Sequence, residues 1–102
     1  MRTELISAVL FAALLSAPAQ AAPKTGESVA VTACPVAGVT ASCLMITGAD
    51  GTVFNITAAD PKPAPGRVIE LRGTATDKVS MCAQGIVLEN IQWTPTQQAC
   101  PK

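Results

Sequence analysis

The chain has 102 residues with seven basic and seven acidic side chains, no histidine or tyrosine, and 49% hydrophobic residues of which few are aromatic. A length of this order gives one small domain, and a balanced, well-mixed charge excludes the basic patch that normally engages nucleic acid or an anionic membrane. Without histidine or tyrosine, the chain also lacks two of the side chains most often used for general acid–base catalysis.

The opening stretch, "MRTELISAVLFAALLSAPAQA", reads as a secretory signal. Arg2 stands at the start, an apolar run follows from Leu5 to Leu15, and Ala19 and Ala21 form an A-x-A cleavage site. The run has 11 residues, short of the roughly 20 that cross a bilayer, so no membrane anchor is expected after cleavage. No cysteine follows Ala21 directly, which disfavours lipid attachment. Residues 1–21 are thus expected to be removed and residues 22–102 to form a single small β domain, secreted or periplasmic. Its core is thin: Phe54 and Trp93 are its two aromatic residues. A domain of about 80 residues buries only around 60–65% of its unfolded surface.

Five stretches alternate β-branched and polar residues between turn residues, the pattern of strands with one buried face. "SVAVTAC" (Ser28 to Cys34) puts Val29, Val31 and Ala33 on one face, and "CLMITG" (Cys43 to Gly48) follows. "TVFNITA" (Thr52 to Ala58) sets Phe54 and Ile56 against Val53, Asn55 and Thr57. Asp50-Gly51 between these two predicts a tight hairpin with a primed turn, so the first three strands form a meander. "ADPKPAPGR" (Ala59 to Arg67) has prolines at alternate positions and predicts a stiff, extended connector. "RVIELRGTAT" (Arg67 to Thr76) points Ile69, Leu71, Gly73 and Ala75 inward, with curvature or a bulge expected at Gly73. In "GIVLENIQWT" (Gly85 to Thr94), Ile86 and Leu88 share one parity and Ile91 and Trp93 the other. A bulge at Glu89-Asn90 brings all four to one face.

Four cysteines, Cys34, Cys43, Cys82 and Cys100, lie after the signal. An even number in a short exported chain predicts two disulfides, and four cysteines allow three pairings. Cys34–Cys43 with Cys82–Cys100 is the favoured pairing because each bond closes a short loop. Structural zinc and dithiol redox chemistry fit poorly. The intervening gaps are 8, 38 and 17 residues, with neither the close cysteine pairs of a zinc site nor a C-x-x-C motif. No metal and no cofactor is expected.

A meander, a connector and a final hairpin follow the strand order of an OB-fold, a five-stranded Greek-key barrel. "RVIELRGTATDKVSMCAQGIVLENIQW" resembles the second half of small bacterial OB-fold domains. With its signal and cysteines, the chain resembles short exported bacterial OB-fold-like proteins of unknown function. The resemblance implies an all-β fold, a small five-stranded OB-fold-like barrel stapled by disulfides. "DPKPAPG" stands where that fold usually has a helix, which leaves a small β-sandwich or open barrel as the alternative. The resemblance also implies a binding face between two connections, Pro35 to Ser42 and Asp77 to Gln84. Its candidate residues are Pro35, Val36, Gly38, Thr40, Asp77, Lys78 and Ser80.

No catalytic residues are expected. Ser28, Ser42 and Ser80 have no base to activate them. Glu89, inside "IVLENIQW", reads as an acid solvated at a bulge or edge rather than buried. "NIT" at Asn55–Thr57 matches a glycosylation acceptor but falls within a strand and reads as structural. Two aromatics within residues 22–102 and no net charge argue against nucleic acid, which single-strand binders stack along a positive groove. The expected function is a non-catalytic cell-envelope binding module for a small molecule, a glycan or an envelope protein. The alternative is a structural protein that pairs through an exposed strand edge.

Overall fold

The computed structural model describes residues 22–101, so the expected signal at residues 1–21 lies outside the described residues. Six strands form one mixed sheet: β1 (Ser28–Ala33), β2 (Val36–Ala37), β3 (Leu44–Thr47), β4 (Val53–Asn55), β5 (Arg67–Ala75) and β6 (Ile86–Ala99). Their order is β1-β5-β6-β4-β3-β2, antiparallel throughout except for the parallel β4–β6 pair. The described residues contain no helix, so the fold is all-β as expected.

The strand count is six rather than five because the first stretch ends at Ala33. Buried Pro35 has no N–H to continue a ladder, and the chain resumes as β2 on a different partner. β1 pairs with β5 while β2 pairs with β3, so the two edges of the sheet are joined by Cys34 and Pro35 alone. Backbone pairing does not close the sheet into a barrel.

The β3–β4 hairpin forms where Asp50-Gly51 predicted it, but with a longer turn. Gly48 and Thr52 pair through Gly48 N–H, and Gly51 N–H donates to the Gly48 carbonyl. Gly51 has φ of 91° while Asp50 stays out of the left-handed region. This is the three-residue loop in which only the last residue needs positive φ, not a two-residue primed turn.

On β5, Ile69, Leu71, Gly73 and Ala75 are buried and Glu70 and Arg72 exposed, as the alternation predicted. β6 carries the expected irregularity. Arg72 stands opposite Gln92 but Thr74 opposite Glu89, so β6 holds one extra residue there, and Asn90 has φ of 53°. Ile86, Ile91 and Trp93 consequently pack against the same core as Leu88. Gly73 faces this bulge: a Cβ on it would sit 3.2 Å from the Glu89 carbonyl oxygen and 3.3 Å from Leu88 Cβ. β6 also runs past the expected Thr94 to Ala99, with a second register shift beyond Pro95.

The core joins Val31, Leu44, Ile46, Phe54, Ile56, Ile69, Leu71, Ala75 and Leu88. The connector after β4 is non-helical but not extended throughout: it turns at Thr57–Ala58 and Pro65–Gly66 and bends at Asp60–Pro61, with Ala59 and Pro63 buried. Trp93 Nε1 donates to the Pro61 carbonyl at 2.7 Å, which fastens the connector to β6.

Both disulfides form, but with a different pairing from the favoured one: Cys34–Cys100 and Cys43–Cys82. Register explains the correction. In the β2–β3 pair Val36 faces Met45, Ala37 faces Leu44 and Gly38 N–H donates to the Cys43 carbonyl, so Cys43 sits at the loop end of this hairpin while Cys34 lies beyond its other end, before Pro35. Cys34 instead follows β1, whose last pair sets Ala33 opposite Ile69 on β5, the neighbour of β6 and so of Cys100. Cys82 and Cys100 flank opposite ends of the 14-residue β6. The bonds that form have Cα separations of 5.9 and 6.0 Å. Cys34–Cys100 ties the end of β1 to the end of β6 across the start of β5, where Cys100 N–H also donates to the Gly66 carbonyl. Their sequence separations of 66 and 39 residues correspond to roughly 4 kcal/mol each in the chain-entropy account, more than short loops would give. Two disulfides of this kind accord with an oxidising environment.

Candidate functional site

The β2–β3 loop (38–43) and the β5–β6 loop (76–85) meet, and the Cys43–Cys82 bond joins them. Each is shaped by its own turn, with Cys43 N–H donating to the Thr40 carbonyl and Ala83 N–H to the Ser80 carbonyl. Gly38 allows the close approach: a Cβ there would lie 2.8 Å from both Cys43 Cβ and Gln84 Oε1. Gln84 Oε1 in turn accepts the Val39 N–H at 2.8 Å across the two loops. Gly85 closes the second loop with φ of 69°, beside the Val53 carbonyl.

Asn55, at the end of β4, is the polar hub beneath these loops and is 1% exposed. Its Nδ2 donates to Ser80 Oγ at 2.7 Å and to the Gln84 carbonyl at 3.3 Å, while its Oδ1 accepts the Thr57 N–H at 3.0 Å. Ser80 Oγ also accepts the Cys82 N–H at 3.1 Å, and Thr57 Oγ1 accepts the Leu44 N–H at 3.0 Å. With both ends of its amide engaged and no exposure, Asn55 serves as structure, in line with that reading of "NIT".

Around this hub lies a groove of about 700 Å³. Its walls are the Cys43–Cys82 bond, Met81, Val87 and Ala58, with Thr40, Ser42, Ser80 and Lys62 among its polar members. Val79 and Met81 project from the β5–β6 loop at 89% and 100% exposure, and Val39 is exposed on the facing loop. Two other hollows lie on strands, one of about 450 Å³ over Glu70, Arg72 and Gln92, and one of about 570 Å³ between β1 and the β3–β4 turn.

The sequence-predicted residues divide. Gly38, Thr40 and Ser80 come together at the groove or its supporting loops. Pro35 is buried at the strand break, and Val36 is exposed on β2. Asp77 is exposed, and Lys78 turns away to form an ion pair with Glu89. That hydrogen bond holds the Lys78 ammonium above its ordinary pKa. Glu89 is therefore partly solvated at the bulge rather than a buried acid. In the β3–β4 turn, the Thr52 N–H holds the Asp50 carboxyl below the usual carboxylate range. Sequence reasoning missed Lys62 and Thr57 as groove residues, while Met81 lies inside the Asp77–Gln84 connection it singled out. The signal for the site was the pair of connections Pro35–Ser42 and Asp77–Gln84; Asn55, a polar residue between Phe54 and Ile56, could have added the hub beneath them.

Chemically the groove offers an apolar floor, hydroxyls and one ammonium. Among the described residues no group of three or more cysteine, aspartate, glutamate or histidine side chains is arranged to hold a metal ion. No protein-family model, curated protein or solved structure matches the chain.

Proposed function

We propose that the protein is an exported, non-catalytic binding module of the cell envelope, built on an OB-fold-like frame. β1 and β2 read together as one strand bent at Cys34-Pro35, which reduces the six strands to five and carries the chain from one sheet edge to the other. In the OB-fold the first-to-second and fourth-to-fifth connections form the binding face. The observation that carries the reading is the Cys43–Cys82 bond, which ties the two corresponding loops around an apolar groove. Loops fixed in advance lose little conformational entropy when a ligand docks.

The test is an amide NMR titration of the oxidised protein with cell-envelope extract. Shifts concentrated at Gly38–Cys43 and Ser80–Gly85 are expected. Shifts that are absent, or spread evenly over β1, β5 and β6, would end this reading.

A second reading rests on β1, an edge strand with β5 on one side only. Its other edge is open to pairing with a further chain. Sedimentation across a concentration series separates the two, since edge pairing requires association and the groove does not.

A further inference from the structure

We infer that the groove takes a single-chain amphiphile with a monoanionic head group, an inference that rests on the binding-module reading above. The argument is the imbalance of its polar groups. Ser80 Oγ accepts hydrogen bonds from Asn55 Nδ2 and Cys82 N–H, which occupies both lone pairs and leaves its own proton to donate. Lys62 gives one proton to the Thr57 carbonyl and keeps two. Among the described residues, Lys62 is also the single charged side chain lining the groove, and no carboxylate lines it. A head group that enters therefore meets surplus donors and an uncompensated positive charge. It must accept hydrogen bonds and carry negative charge.

The rest of the groove asks for an alkyl chain. Met81, Val87, Ala58 and the Cys43–Cys82 bridge provide an apolar surface, and about 700 Å³ falls in the range of small-molecule sites. A glycan fits less well, because neither aromatic among the described residues lines the groove: Phe54 is in the core and Trp93 is bonded to the connector. A cationic amphiphile would set like charge against Lys62.

The experiment is calorimetric titration of the oxidised protein with octanoate, decanoate and dodecanoate, each beside the 1-alkanol of equal length. Affinity should rise about four-fold per methylene until the groove is filled. The carboxylates should bind about five-fold more tightly than the alkanols, the upper end of what an exposed ion pair gives. Lys62→Met should abolish that preference and leave the chain-length dependence intact, with an unchanged thermal midpoint. Equal binding of acid and alkanol, a preference that survives Lys62→Met, or no binding of either series overturns the inference. If envelope extract still shifts the Gly38–Cys43 and Ser80–Gly85 amides after such a result, the binding-module reading stands without it.

Discussion

Asn55 shows how one side chain sets the geometry of a site. Its Nδ2 must donate twice, to Ser80 Oγ and the Gln84 carbonyl, and its Oδ1 must accept from Thr57 N–H. A carboxylate of the same shape retains the acceptor but loses both donors. Asn55→Asp then places an ion against the Gln84 carbonyl in a site with 1% exposure. Burying an unpaired charge is among the few routes to large destabilisation, and about 3 kcal/mol or more is expected. Urea unfolding at neutral pH measures it, and the loss should shrink as the pH is lowered and the new carboxyl protonates. A variant as stable as the native chain at neutral pH would show that Asn55 is not the hub described here. The sequence held part of this: a polar residue between Phe54 and Ile56 breaks an apolar run. What it could not show is the donor count, because Ser80 and Gln84 lie 25 and 29 residues away.

At the scale of elements, β6 was the most legible and also the most irregular. The switch of parity between Leu88 and Ile91 required an extra residue, and the structure puts it at Asn90, opposite Gly73. Parity is a local property, so sequence can report it. The break between β1 and β2 was legible only in part: Pro35 marks where a ladder stops, but the change of partner from β5 to β3 is not encoded within Ser28–Ala37. The bulge yields a prediction. Removing Asn90 makes Leu88, Glu89, Ile91, Gln92 and Trp93 alternate regularly and keeps Gln92 opposite Arg72. Deletion of Asn90 should therefore cost no more than about 1 kcal/mol, since what is lost is local twist and not the buried face. Trp93 emission reports the outcome: an unchanged maximum is expected. A red shift would mean that the strand cannot cross Gly73 without the bulge and that Trp93 has left the core.

For the whole molecule, the two disulfides do different work, and their pairing was the part of the fold least readable from spacing. Loop length favours Cys34–Cys43, but Cys43 stands at the loop end of the β2–β3 hairpin while Cys34 lies beyond its other end, where β1 leaves β5. Only the tertiary arrangement brings Cys34 to Cys100 and Cys43 to Cys82. One bond holds the end of the sheet furthest along β6, and the other holds the groove. Each contributes roughly 4 kcal/mol by loop closure, against a total of about 5–15 kcal/mol for a typical domain. Replacing Cys34 and Cys100 together by Ser should therefore lower stability by about that amount and free the end of β6, because Pro95 cannot donate a ladder hydrogen bond there. Hydrogen exchange should then speed up at Thr96–Ala99 while the loop amides at Gly38–Cys43 stay protected. Replacing Cys43 and Cys82 together should lower stability similarly but reverse the pattern, with fast exchange at Gly38 and Ser80–Gly85 and a protected β6 end. If the two variants gave the same exchange pattern, the bonds would be acting only on the unfolded chain. The groove would then owe its shape to Asn55 and Gln84 alone.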